Sequence, residues 1–220
     1  MSPRLHVRTI TDPAFAENCY VLWLDGSPEA WIIDPGFPPT PQEVESLIEQ
    51  ARLAPAAIVL THCHVDHIAG VDPLRTSLPG VPLFAPRAEA HMLESPMANL
   101  SVALGASIST DPAERSLDPG DELPFAGDQW RVLDVSGHSP GGLAYYSALH
   151  GVVLGGDALF AGSVGRTDFP GSSSDRLLKN IRDHLLTLPD GTTVLSGHGP
   201  PTTIGRERAS NPFLQPGASW

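Results

Sequence analysis

The sequence predicts a layered α/β fold in a single domain, 1–220, and three observations point to it. Short apolar runs that end in glycine, histidine or aspartate recur along the whole chain. Segments with helical spacing fall between them. No linker or shift of composition interrupts the alternation, which is the pattern of a sheet layered with helices.

The elements follow in order. "CYVLWL" and "AWIID" read as an early hairpin closed by the turn "DGSPE". "PQEVESLIEQARL" then spaces Val44, Leu47, Ile48 and Ala51 as one face of a helix that begins at a proline. "AAIVL" reads as a buried strand that runs into "THCHVDHIAG", "VPLFAP" as another strand, and "PRAEAHMLES" as a helix. In the second half "WRVLDVSGHSPGG" is a strand leading to a histidine loop, and "LAYYS" and "GVVLGGD" are further strands. "SDRLLKNIRDHLLTL" is the clearest amphipathic helix, with Leu177, Leu178, Ile181, Leu185 and Leu186 on one side. "TTVLSGHGP" is a last strand, and the tail "ERASNPFLQPGASW", without periodicity, is expected to lie over the surface.

Composition bounds the function. The 220 residues are 41% hydrophobic and 17% charged, enough for a sizeable core. A formal charge of -12 repels phosphate backbones, so nucleic acid is not an expected partner. The first residues, "MSPRLHVRTITDPAFAEN", show no apolar leader, and no apolar run is long enough to span a bilayer. Two cysteines are too few for a disulfide framework, so a cytoplasmic location without a membrane partner is expected. The number of subunits stays open.

Four polar clusters each follow an apolar strand: "THCHVDH", "SGHSPGG", "GGDALF" and "SGHGP". Loops at strand ends gather in layered α/β proteins, so His62, His64, His67, His138 and His198 can meet, with Asp66 and Asp157. In an extended segment His62 and His64 point the same way, because side-chain direction repeats every two residues. A turn into a helix then aims Asp66 and His67 at a neighbouring point. The loop thus offers two pairs, one per metal ion, with His138 and His198 available as third ligands and Asp157 as a bridge at about 3.5–4 Å. Left without partners or metal, such a cluster would cost several kcal/mol, by the order of magnitude for buried polar groups. His6, His91, His150 and His184 read as ordinary surface or core histidines. Alternation places Cys63 opposite His62 and His64, as a small packing residue, and Asp34 in "IIDPG" is expected to tie loops behind the site.

These motifs resemble the metallo-β-lactamase superfamily, whose signature His-x-His-x-Asp-His is matched by His62-Cys63-His64-Val65-Asp66-His67. Gly137-His138, Gly156-Asp157 and Gly197-His198-Gly199 match its later loops in order. The resemblance implies an αββα sandwich with the metal site at the edge of the sheets. It also implies two divalent ions, zinc first and iron or manganese next. His62, His64 and His138 look like the ligands of one ion, and Asp66, His67 and His198 like those of the other, with Asp157 between.

"GDALFAGSVGRTDFPG" and "GHGPPTTIGRERASNPFL" resemble the small glyoxalase II-like branch, the hydroxyacylglutathione hydrolases. That branch implies hydrolysis of a small-molecule thioester such as S-lactoylglutathione. Arg166 matches the branch's tripeptide-contacting basic residue, while Thr167 and Asp168 follow where a tyrosine is usual. Arg166 and Asp168 can instead pair to brace the loop. Full-length relatives of the branch carry a helical C-terminal extension, and no counterpart of it is expected in the short stretch after "NPFL". The lactamase branch has a cysteine in place of Asp157, which disfavours antibiotic hydrolysis. A mononuclear iron persulfide dioxygenase, similar at "GRTDF", is the alternative enzyme, and a metal-binding protein without catalysis the non-enzymatic one.

The expected chemistry is attack of a metal-bridging hydroxide, formed near neutral pH, on the thioester carbonyl. Asp66 would orient it. A thiolate, whose acid has a pKa of about 8.5, leaves without a separate general acid.

Overall fold

The computed structural model describes residues 3–215, and the chain divides into two compact units, Met1–Leu117 and Asp118–Trp220.

In the first unit six strands form one sheet in chain order. They are β1 (Leu5–Thr11), β2 (Asn18–Leu24), β3 (Glu29–Ile33), β4 (Ala54–Val59), β5 (Leu83–Pro86) and β6 (Arg115–Leu117). The first three pair antiparallel, and β3 through β6 pair parallel. Parallel neighbours need crossover connections, and helix α1 (Thr40–Ala51) makes the one from β3 to β4. Its Val44 and Ile48 are buried, as the spacing predicts, and Arg52 closes it in the left-handed conformation. Helices α2 (Val65–Ile68) and α3 (Val71–Ser77) lie between β4 and β5. The helix expected over "PRAEAHMLES" breaks into a 3-10 turn, Arg87–Glu89, and a single turn α4 (Ala90–Leu93). The core joins Val21, Ile32, Ile58, Leu60 and Leu74 with both cysteines. Strand β1 escaped the sequence reading because it is a largely exposed edge strand, LHVRTIT, without an apolar run.

In the second unit the sheet runs β14-β13-β10-β9-β8-β7. Its strands are β7 (Glu122–Phe125), β8 (Asp128–Asp134), β9 (Leu143–Ser147), β10 (Val152–Gly156), β13 (Thr193–Ser196) and β14 (Thr202–Thr203). A separate two-stranded ribbon joins β11 (Leu159–Phe160) to β12 (Ser163–Val164). Strand β8 is antiparallel to β9, β9 is antiparallel to β10, and β10 is parallel to β13. Strands β8, β10 and β13 therefore point the same way, and their C-terminal ends share one edge of the sheet.

Helix α5 (Ser174–Asn180) continues as a π-helical turn over Ile181–Leu185. Leu177, Ile181 and Leu185 bury against Tyr146, Val153 and Val194, with Leu178 and Leu186 half-buried beside them. The Ser173 hydroxyl accepts the Arg176 N–H and caps the helix. Ser173→Ala should cost about 1 kcal/mol, the usual worth of such a cap, read as a lower denaturant midpoint at unchanged slope.

The tail departs from expectation. Residues 204–210 form helix α6 (Ile204–Ser210), which buries Glu207, with Asn211 buried just beyond its end. The Glu207 carboxylate accepts the Gly162 N–H at 2.8 Å, and the Asn211 amide donates to the Ser163 carbonyl at 2.9 Å. The buried side of α6 carries the charged Glu207, so hydrophobic periodicity could not reveal the helix. The rest of the tail, 216–220, lies outside the described residues. Among the described residues no helix is long and apolar enough to cross a membrane.

Candidate metal centre

In the first unit the donors follow β4. The backbone at His64 is extended (φ -70, ψ 152) and turns at once into α2. His62 and His64 accordingly lie side by side, ring centroids 4.8 Å apart, while Asp66 and His67 fall in the first helical turn. His67 also approaches His62, with centroids 4.1 Å apart, and its Nε2 lies 3.9 Å from Asp66 Oδ2. Potential ligand atoms of His62 and His64 lie within 4.8 Å, as do those of His62 and His67 and of Asp66 and His67. All three histidines are buried.

Behind these rings a hydrogen-bond chain sets the tautomers. Asp34 accepts the Thr61 backbone N–H at 2.7 Å and the Thr61 hydroxyl at 2.6 Å. With its proton given to Asp34, Thr61 Oγ1 can only accept from His62 Nδ1, 3.1 Å away. Asp34 Oδ2 also lies 3.1 Å from His67 Nδ1. Both imidazoles thus keep a proton on Nδ1 and present the Nε2 lone pair, the arrangement that orients metal-binding histidines. Asp34 ties the loops behind the donors, as the sequence suggested.

Cys63 points away from the donors, as alternation requires. It is fully buried, its N–H donates to Glu89 Oε2 at 2.7 Å, and burial pushes its thiol well above the ordinary range. A thiol so placed stays protonated and unreactive.

In the second unit His138 follows β8, Asp157 follows β10 and His198 follows β13, so three strands of one direction deliver them to one edge. Asp157 Oδ2 lies 3.6 Å from His138 Nε2 and 3.4 Å from His198 Nε2. The Arg166 carbonyl accepts from His138 Nδ1 at 2.8 Å, which again leaves Nε2 as the lone-pair nitrogen. Gly165 packs against this pair: a Cβ there would fall 1.9 Å from the Asp157 carbonyl oxygen and 3.1 Å from His138 Cβ. Phe169 meets His138 edge-on and Phe160 meets His198 edge-on.

The Arg166 side chain takes the bracing arrangement. Its Nε and one terminal nitrogen each bond Asp168 at 2.6 Å, and its guanidinium stacks over Phe169 at 4.4 Å. Pairing with Arg166 holds the Asp168 carboxyl below its usual range. Of the histidines set aside as ordinary, His6 pairs with Asp25 and stacks on Trp23, and His150 lies 3.0 Å from the Ala126 carbonyl.

Among the buried acids that the sequence reading passes over, Glu89 and Glu17 lie beside the candidate residues. Glu89 shares helical spacing with Met92 and Leu93, which could have marked it as inward-facing. Glu17 stands as a single charged letter before an apolar strand and resembles a turn residue. It is fully buried, and burial raises its carboxyl well above the ordinary range against the lowering effect of His67.

The superfamily pattern of the metallo-β-lactamases matches residues 12–198, which include every donor described above. The chain belongs to the metallo-β-lactamase superfamily. The family's fold, the one the sequence predicts, recurs in solved relatives. The B3 metallo-β-lactamase BLEG-1 is 39% identical, with a TM-score of 0.90 over 96% of this chain and 100% of that one. TTHA1623 in a di-iron-bound form is 36% identical, with a TM-score of 0.83 over 94% of this chain and 100% of its own. Among curated relatives, the probable metallo-hydrolase YqgX of Bacillus subtilis is 37% identical over 90% of this chain and 92% of its own length. The hydroxyacylglutathione hydrolase GloC of Haemophilus influenzae is 34% identical over 96% of this chain and 98% of its own. The chain is thus of a metal-dependent hydrolase family and carries candidate metal-binding histidines and aspartates.

Proposed function

We propose that the protein is a dinuclear metal-dependent hydrolase of small thioesters, S-lactoylglutathione being the first substrate to try. In this reading His62, His64 and His138 hold one ion, Asp66, His67 and His198 hold the other, and Asp157 stands between. The observation that carries it is the tethering of His62, His67 and His138 through Nδ1, which turns each Nε2 outward as a ready ligand atom. The donor set fits divalent ions: imidazole and carboxylate suit zinc, iron and manganese alike. Zinc is the first choice, and the di-iron form of TTHA1623 makes iron the second.

Bound ions of this kind supply Lewis acidity and a nucleophile at neutral pH. The chain's own residues do the rest. Asp66, less buried than the histidines beside it, is placed to accept a hydrogen bond from the attacking water and fix its direction. Phe169 and Phe160 stand edge-on against His138 and His198 and give those two rings an apolar neighbour. Arg166 is fixed against Asp168 at the rim, where a substrate carboxylate would compete for its guanidinium. A thiolate leaving group needs no general acid, in keeping with a donor set in which every acid is committed to ligation. The substrate is small, and an acidic chain of net charge -12 favours neither nucleic acid nor anionic membrane as partner. Cytoplasmic location belongs to the same reading.

The similarity to GloC supports the thioester. The similarity to BLEG-1 favours a second reading, opening of a β-lactam ring. Metal-loaded protein should remove the absorbance of S-lactoylglutathione and leave a chromogenic cephalosporin intact. Cephalosporin turnover without thioester loss would replace the first reading with the second. Sulfite formation from glutathione persulfide with oxygen uptake and one iron per chain would replace both with the dioxygenase.

A further inference from the structure

His67 differs from the other tethered histidines in what stands behind it. His62 faces a hydroxyl and His138 a backbone carbonyl, whereas His67 Nδ1 faces two carboxyl groups. Asp34 Oδ2 lies at 3.1 Å and Glu17 Oε1 at 3.9 Å. Glu17 has no solvent exposure, yet neither of its carboxyl oxygens has a hydrogen-bond partner among the described residues. A buried carboxyl without such partners is unfavourable, so its place needs another explanation. The surrounding chain makes room for it: a Cβ on Gly36 would fall 2.2 Å from Glu17 Oε2.

We propose that Glu17 is a positioning residue which acts through His67 to tighten the hold on the ion assigned to Asp66, His67 and His198. An imidazole that gives its Nε2 lone pair to a cation keeps its Nδ1 proton and gains positive charge. Carboxyl oxygens facing Nδ1 in surroundings closed to solvent stabilise that charge more than a hydroxyl or amide carbonyl does. Behind two ligands of the other ion stand a hydroxyl, at His62, and a backbone carbonyl, at His138. The two ions should therefore be held unequally, and Glu17 should govern only one of them.

This inference rests on the two-ion reading, and one titration separates the two. Full-length wild type, Glu17→Gln and Glu17→Met are titrated with zinc against a competing chelator, and the ions retained are counted by elemental analysis. Circular dichroism of the metal-free proteins confirms that each variant is folded. Wild type should show two binding steps. Glu17→Met should weaken one of them about tenfold and leave the other unchanged, the scale seen when outer partners of metal ligands are lost. Glu17→Gln, which restores a polar group of the same shape, should fall between. Equal weakening of both steps would mean a merely structural role and overturn the proposal, as would two unaltered steps. A wild type with a single step would remove the two-ion reading by itself, whereas Glu17 is judged by the difference between variants and wild type.

Discussion

Asp157→Ala should bind fewer than two metal ions per chain and lose thioester hydrolysis by about a hundredfold or more. The expectation follows from where the carboxylate sits. Its Oδ2 is within 3.6 Å of the Nε2 atoms of both His138 and His198, so one oxygen serves two imidazoles from different loops. Losing the carboxylate removes a ligand atom that the two loops share, which is the role the two-ion reading gives it. Transition-state stabilisation by metal ions is worth several kcal/mol, and about 1.4 kcal/mol is a factor of ten in rate. Elemental analysis of the purified variant beside a thioester assay reads both effects. Full metal content in Asp157→Ala would contradict the bridging role, whatever happened to activity.

The second large effect is expected at Asp34, which organises the first unit's donors without ligating. Asp34→Ala removes the acceptor for the Thr61 N–H, the Thr61 hydroxyl and His67 Nδ1, all buried. It also places alanine at φ 48, in the left-handed region that aspartate and asparagine tolerate better. Stranding buried donors of a charged acceptor should cost about 3–5 kcal/mol, seen as a fall in thermal midpoint. Asp34→Asn is the sharper variant. It retains the shape and the backbone tolerance, but its amide can turn an N–H toward His67. Nδ1 would then become the acceptor and Nε2 would carry the proton, where it cannot bind metal. A folded Asp34→Asn protein with reduced metal content is the expected result. Undiminished metal content would show that the tautomer of His67 is set elsewhere.

Much of the candidate site was legible because its donors obey local rules. His62 and His64 share a direction by strand alternation, Asp66 and His67 by the helical turn that follows, and each later donor sits one loop beyond an apolar strand. The seated role of Cys63 followed from the same alternation. What the sequence concealed was polar and long-range. Glu17 reaches His67 across some fifty positions of chain, and no spacing rule links the two letters. Helix α6 turns buried Glu207 inward, with Asn211 buried after it, so a search for apolar periodicity passes over it. Strand β1 gains its order from pairing with β2 along its whole length rather than from its own apolar content.

The common direction of β8, β10 and β13 has a consequence for how such a protein can change. Because the donors stand at the ends of strands anchored in a packed sheet, the strands set the donors' register and the peptide beyond each end carries what surrounds them. The ribbon Leu159–Val164 and the stretch through Phe169 form one such connection, moored to Glu207 of α6 and to Asn211 just beyond it, while Gly165 and the Arg166 carbonyl within it hold Asp157 and His138. Grafting the matching connection from a relative should exchange substrate preference as a module, provided those two moorings travel with it and the contacts to Asp157 and His138 are kept.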